Sequence, residues 1–503
     1  MMVNKLQKYN EPRLKFAHGQ VLEDPRDGLS VFGPFDKGNI NNFSVGIIGT
    51  KEGIRRCRDW LYRLQRPVYH TKSDIANPFF PGFEEAFHVS INLNVIPTIE
   101  IDHSLLNTFY RYNDNHVRVS EIVDLYRDGL KSFTNQNERR PSIWFVVIPD
   151  QVYLLCRPNS SVYTKDAITV GISDEYSRHF PGMFETENTK RWRSSYNYEN
   201  HFHNQLKIKL LKDKVLTQIL KESTIAYHEY PNYTEKKKLK LKESDVAKAW
   251  NLSTALYYKA GGLPWKLNDI RRGVCYIGLT FKKDDTHFDS RYACCAAQMF
   301  LDSGDGMVFR GRIGPYYNPN LDEYHLTRDD ARELLSKAID SYKKTNFISP
   351  KEIFIHGKTY FDDNEWEGFY EAVKENIELT GIRIRSENIF KLFRAEGDYP
   401  ILRGSAYIRN HKTAFLWTKG FIPRIQSVLG LETPNPLYIQ IVRGEADINI
   451  VCKDILALTK LNYNSCRFCD GKPVTLKFAD LIGDILTAGP NEDLEVLPFM
   501  YYI

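Results

Sequence analysis

Two hydrophobic patterns alternate along the first half of the chain. Val45-Gly-Ile-Ile-Gly49 and Ile143-Trp-Phe-Val-Val-Ile148 are short apolar runs with no polar face, the pattern of strands covered on both sides. Glu52 to Leu64 and Val119 to Phe133 carry apolar residues at helical spacing, one stretch after the first run and one before the second. Alternation of buried strand and helix predicts an α/β unit built on a parallel sheet. A further helix is predicted from about Ser244 to Lys259, with Val246, Ala249, Ser253, Leu256 and Ala260 near its inner face. Gly261-Gly262-Leu263-Pro264 then stops it, glycine after the last turn and proline just beyond. The chain is divided there, into 1–262 and 263–503.

Beyond that boundary the order changes. Val274 to Phe281, Tyr292 to Phe300 and Met307 to Arg312 are three apolar runs joined by short polar turns containing glycine, as in an antiparallel meander. A helix follows, with Thr327 placed to cap it and Ala331, Leu334, Leu335, Ala338, Ile339 and Tyr342 on one stripe. Ile353 to His356 predicts a strand, and Glu365 to Asn376 a second helix. Three strands, helix, strand, helix is the order of an RNase H-like fold.

Composition changes the picture little as a whole and much in one place. The chain of 503 residues is 42% apolar and 13% aromatic, which excludes a disordered or fibrous protein. Its 68 basic and 63 acidic residues nearly cancel, for a formal charge of +5. Between Lys207 and Lys259, however, twelve lysines face six acids, so this one segment carries the whole excess. Within it, the run of lysines at 236–242 fits either a solvated loop or a track for phosphates. The eight cysteines are scattered, and Cys466 and Cys469 form a single CxxC without a second pair, which reads as free thiols in a reducing cytoplasm. No stretch approaches the roughly 18 apolar residues needed to span a bilayer, and the first residues lack the apolar core of an export signal.

Nucleases on the RNase H-like fold hold two divalent ions about 4 Å apart with carboxylates from the first strand, the end of the fourth strand and a late helix. In Val274-Cys-Tyr-Ile-Gly-Leu-Thr-Phe281 the inward candidate is Thr280, a neutral hydroxyl. Asp284 and Asp285 lie four and five residues further on, about 13 to 16 Å along an extended strand, out of reach of that position. The fourth strand ends in His356, Gly357 and Lys358, with Asp362 and Asp363 well past the tip.

On these residues the chain resembles a short prokaryotic Argonaute, a Rossmann-like MID domain followed by an RNase H-like PIWI domain. Where nuclease-active relatives read Ile-Gly-apolar-Asp, this chain reads Ile277-Gly278-Leu279-Thr280, and where they carry Arg-Asp-Gly it has His356-Gly357-Lys358. Asp480, within Pro473 to Asp480, matches the family position on the final helix; its alternative is a solvent-facing helix carboxylate. No acid stands between Gly311 and Tyr317 where the family's inserted glutamate was sought. The resemblance implies a PIWI domain that holds a guide and target duplex without cutting it, with degenerate positions Thr280, Gly357 and Asp480.

The resemblance also assigns a pocket for the guide 5′-phosphate to His203, Lys207, Gln218 and Lys259. The residues suit it: His203 and Lys207 are four apart and share a helix face, the ammonium of Lys259 can project from a packed helix, and Gln218 offers an amide donor. Family members fold the C-terminal carboxylate back beside this pocket and hold a Mg2+ ion against the phosphate, which here assigns Ile503. The apolar ending Leu497-Pro-Phe-Met-Tyr-Tyr-Ile503 fits a buried tail. The implied function is guide-dependent binding: a guide RNA, a complementary single-stranded DNA target, and an APAZ-containing partner with a TIR or sirtuin-like, NAD-consuming effector, in antiviral defence. Oligomerisation after target binding belongs to the TIR type. Two other readings stand beside it, a metal-dependent endonuclease using Asp284 or Asp362 in a shifted register, and an RNase H-like scaffold that binds no nucleic acid.

Overall fold

The structure is a computed structural model that describes residues 5–503 except 39, 41, 71–74, 163–164, 182–184, 230–243, 270, 284–292, 301–305, 321, 374–375, 429–431 and 491–496. The lysine run at 236–242 and the acids Asp284 and Asp285 lie outside the described residues.

The apolar runs of the first half become neighbouring parallel strands. Ser90–Asn92, Asn42–Gly49, Ile143–Ile148 and Thr217–Lys221 lie side by side in that order, and Thr98–Glu100 also pairs with Asn42–Gly49. Ile143–Ile148 is buried at every position, which is why its sequence shows no polar alternation. Helix Lys51–Leu64, capped by Thr50, buries Ile54, Cys57, Trp60, Leu61 and Leu64, the stripe its spacing predicts. Helix Asn115–Gln136 starts four residues before the apolar pattern does. Asp114 fixes that start by accepting from the Val117 amide, a polar capping signal that periodicity does not register.

The second half forms a nine-stranded mixed sheet. Its order is Lys5–Lys8, Ser405–Asn410, Thr413–Leu416, Leu437–Arg443, Glu378–Ser386, Glu352–Gly357, Val274–Lys283, Ala293–Phe300 and Gly306–Gly314. The three-strand meander is antiparallel, and Val274–Lys283 then pairs in parallel with Glu352–Gly357 through the helix Arg328–Asn346. That helix is capped by Thr327 and buries all six residues of the expected stripe. The following helix, Asp363–Ala372, begins two residues early because Asp362 caps it and ends four early because Val373 is already extended.

The two halves share one apolar core. Tyr258, near the end of helix Asp245–Lys259, packs on Tyr463 and on Phe499, with ring centroids 5.0 and 6.4 Å apart. The edge strand Lys5–Lys8 of the large sheet and Leu14–Lys15, which pairs with Lys266–Leu267, both come from the first residues of the chain. Close approach also fixes the last helix, Val474–Leu486. A Cβ at Gly278 would lie 2.1 Å from the Thr475 carbonyl oxygen, so the helix can press on the strand Val274–Lys283 only where that strand has no side chain. The contact sets Asp480 beside the ends of the central strands.

Candidate nucleic-acid interface

Three elements bring the four pocket residues together. His201 caps helix Phe202–Leu211 by accepting from the Asn204 amide, and the helix presents His203 and Lys207. Strand Thr217–Lys221 supplies the Thr217 carbonyl and Gln218, and helix Asp245–Lys259 ends on Lys259. The Nζ atoms of Lys207 and Lys259 both donate to the Thr217 oxygen at 3.0 Å, and Lys259 also reaches Gln218 Oε1 at 2.7 Å. Lys207 donates in addition to the main-chain oxygen of Ile503 at 2.5 Å. Ile503 is buried, as are Leu497, Phe499 and Tyr502, and Phe499 stacks on Phe478 of the last helix with centroids 4.1 Å apart.

Both lysines are buried, 3% and 2% exposed, and among the described residues neither has a carboxylate side chain as a partner. Charges are normally buried only when paired, because desolvation costs several kcal/mol per ion. Burial pushes Lys207 down to about 7 and Lys259 well below its ordinary value, the latter helped by repulsion from Lys207. Burial, with Lys207 beside it, pushes His203 down to about 4, so at neutral pH its ring is uncharged. The chemistry of the set is that of an anion site: two lysine side chains converge on one carbonyl, with His203 in the first turn of helix Phe202–Leu211.

A cavity of about 350 Å³ opens next to this cluster, at the carboxyl ends of Ile143–Ile148 and Thr217–Lys221. His203 lines it, together with Tyr153, Arg157 and Lys221. The Tyr153 ring is 42% exposed, with the Arg157 guanidinium 4.3 Å and the Lys221 ammonium 4.4 Å from its centroid. Ligands of parallel α/β sheets bind at this end of the strands. Sequence reasoning missed Tyr153, Arg157 and Lys221; the signal was a lone tyrosine and arginine four apart after a strand, which means nothing until the fold places Lys221 against the same ring.

A second basic surface lies on the large sheet. Two adjoining cavities, of about 600 and 180 Å³, share Ser386, Leu437 and Lys472, and between them are lined by Lys358, Arg385, Lys419 and Lys477 as well. Lys477 pairs with Asp470 at 2.9 Å, and no acid pairs with Arg385, Lys419 or Lys472 among the described residues.

At the position of the nuclease centre the groups present are these. Thr280 is 2% exposed and its hydroxyl oxygen has no hydrogen-bond partner among the described residues. His356 is buried with Nδ1 3.0 Å from Thr475 Oγ1, and burial pushes it down to about 3, leaving it neutral. Gly357 ends its strand. The carboxylate of Asp480 is gripped by Lys358 Nζ at 2.5 and 2.6 Å, and one turn on Asp484 pairs with Lys282 at 2.7 Å. Asp362, the residue of the shifted-register reading, caps its helix by accepting from the Glu365 amide at 2.7 Å. Cys466 and Cys469 are buried free thiols, pushed up to about 12 and about 11 by burial, far from the thiolate form that metals need.

No protein-family model matches the sequence. Over 258 residues, 50% of this chain and 33% of the other, it is 22% identical to Protein argonaute of Aquifex aeolicus (strain VF5). Among solved structures, Clostridium butyricum Argonaute bound to a guide DNA and a 19-mer target DNA superposes with a TM-score of 0.63 at 16% identity, covering 98% of this chain and 54% of that one. Aquifex aeolicus Argonaute and Drosophila Piwi each superpose with a TM-score of 0.57 over 99% of this chain, at 16% and 13% identity and covering 55% and 56% of their own lengths. The chain is thus similar in sequence to an Argonaute over half of its length and shares the mixed α/β fold of these Argonaute and Piwi structures, spanning a third to about half of the length of these proteins. Among the described residues no helix is long and apolar enough to cross a membrane.

Proposed function

We propose that the protein is a guide-dependent nucleic-acid binder that grips the 5′-phosphate of a guide strand, RNA by family resemblance, and pairs it with complementary single-stranded DNA without cutting. The observation that carries this reading is the pair of buried lysines, Lys207 and Lys259, held together among the described residues with no acidic side chain beside them and only the Ile503 terminus in contact with Lys207. A phosphate is the partner that such a pair lacks. Gln218 adds a neutral amide donor, His203, uncharged and with Nδ1 turned to Asn204 Oδ1, lines the cavity, and the first base of the guide would stack on Tyr153, where a π-face needs no particular base. The basic surface around Lys419 and Lys472 suits the following backbone, while base pairing supplies sequence specificity.

A Mg2+ ion against the guide phosphate, which the resemblance implies, would draw on the oxygens of this cluster. The oxygens of Thr217, Gln218 and Ile503 would hold it, each already accepting from a lysine. At the nuclease positions, Thr280 and Gly357 offer no carboxylate and Asp480 is already neutralised by Lys358. This supports a binder over a nuclease. Output then falls to another subunit, the APAZ-effector partner that the resemblance implies, in a cytoplasmic defence system that assembles further on target recognition.

The test is binding of guides that differ only at the 5′ end. Lys207→Ala together with Lys259→Ala should weaken a 5′-phosphorylated guide far more than its 5′-hydroxyl counterpart. Equal loss for both refutes the phosphate assignment.

A further inference from the structure

Outside these surfaces, the described residues hold one cluster with the makings of a metal centre. A donor atom from each of His325, Asp362 and Glu365 lies within 4.8 Å of the others. The fold builds it from separate pieces. Asp362 and Glu365 stand at the start of helix Asp363–Ala372, whereas His325 follows the small hairpin of Tyr317–Asn318 and Glu323–Tyr324 and is tied back by its amide to the Tyr316 carbonyl. Gly368, one turn beyond Glu365, makes the juncture: a Cβ there would lie 2.1 Å from the Arg328 carbonyl oxygen, so only glycine lets the two segments close.

The charge in this juncture is unbalanced. Glu365 is 1% exposed, and its one ion-pair partner among the described residues is His325, whose Nδ1 lies 3.5 Å from Oε2. Its Oε1 accepts from the Leu326 amide at 3.2 Å. On the other side of the ring, Glu323 Oε2 is 3.7 Å from His325 Nε2, and the nearest cation, Arg383, is 3.9 Å from Glu323. Three carboxylates therefore face one imidazole. His325 itself is 6% exposed, and among the described residues its Nε2 has no hydrogen-bond partner. Asp362 is half-buried and forms the solvent edge.

We propose that His325, Asp362 and Glu365 bind a divalent first-row transition metal of the Zn2+ type, with water completing the shell on the Asp362 side. Four-coordinate zinc with ligands at about 2.0 to 2.2 Å places its donors roughly 3.4 Å apart, close to the 3.5 Å already separating His325 and Glu365. One imidazole with carboxylates favours zinc or manganese over magnesium or calcium. Glu323 then stands as the outer carboxylate that orients the ring, the usual partner of a metal-bound histidine. Such an ion would tie the segment entering helix Arg328–Asn346 to helix Asp363–Ala372. It is built from none of the residues at positions 280, 357 and 480.

The test is a Zn2+ titration of the full chain, stripped with chelator, in competition with a chromophoric chelator. One tight ion per chain is expected. Asp362→Asn, which keeps a residue able to cap the helix, should weaken that ion at least tenfold without loss of fold, and Glu323→Gln should weaken it less. Co2+ in place of Zn2+ should show visible bands of nitrogen and oxygen ligation and no thiolate charge-transfer band. Equal affinity in the wild type and Asp362→Asn, a thiolate band, or no stoichiometric ion would overturn the proposal.

Discussion

Lys207→Met should make the guide-free protein more stable and the guide-bound protein weaker. Burial pushes the ammonium of Lys207 from its ordinary value of 10.5 down to about 7. At 1.36 kcal/mol per unit, holding it charged costs roughly 4 to 5 kcal/mol at or below pH 7. Methionine removes that cost and keeps most of the side-chain volume. It also removes the bonds to Thr217 and Ile503, together about 1 to 3 kcal/mol, although Lys259 still serves Thr217. The balance is a gain of about 1 to 4 kcal/mol, readable in urea or thermal unfolding. The pH dependence has a definite sign. Between pH 7 and 10.5 the unfolded chain holds a proton that the folded site has released, so wild-type stability rises with pH in that window, and the variant should show a shallower rise. Binding moves the other way. Losing a charge-assisted hydrogen bond of about 1.5 to 3 kcal/mol should weaken a 5′-phosphorylated guide by about 10- to 100-fold and leave a 5′-hydroxyl guide unchanged. A variant that is less stable without guide, and equally impaired for both guides, would show that Lys207 is a structural core residue and that the charge argument is wrong.

Other outcomes follow from single contacts. Tyr153→Ala should cost about 1 to 3 kcal/mol of guide affinity whatever the first base, measured by competition with guides of each 5′ nucleotide; a loss confined to one base would replace stacking with edge recognition. With a guide, a labelled complementary strand and Mn2+, the wild type should leave the target intact on a denaturing gel, and cleavage opposite the guide would end the binder reading. Gly278→Ala drives a methyl to 2.1 Å from the Thr475 oxygen, and should lower stability by about 1 to 3 kcal/mol in urea unfolding, whereas Gly261→Ala, which meets nothing within 4 Å, should lose less and only through its left-handed backbone.

Much of the architecture was legible in the chain. Unbroken apolar runs at Val45 and Ile143 announced strands covered on both faces, and the 3.6-residue stripe from Ala331 to Tyr342 announced its helix residue by residue, because burial of one face is a local, periodic demand on sequence. His203, Lys207, Gln218 and Lys259 were singled out by the resemblance to Argonaute, inside a segment with a net basic balance, and the fold sets them side by side. The resemblance to Argonaute supplied what periodicity could not, the meaning of threonine and glycine where acids are expected.

What the sequence left open depended on distance in space. Nothing in the order of residues says that Lys358 grips Asp480, 122 positions away, or that Tyr153 shares its ring with Lys221. The cluster of His325, Asp362 and Glu365 arises because Gly368 allows two backbones to touch. The lysine pair was chosen by the sequence, but its burial, and with it the loss of proton affinity that makes it seek an anion, was decided by the tertiary structure. A side chain's type is written in the chain, whereas the water around it is removed only by everything else that folds against it.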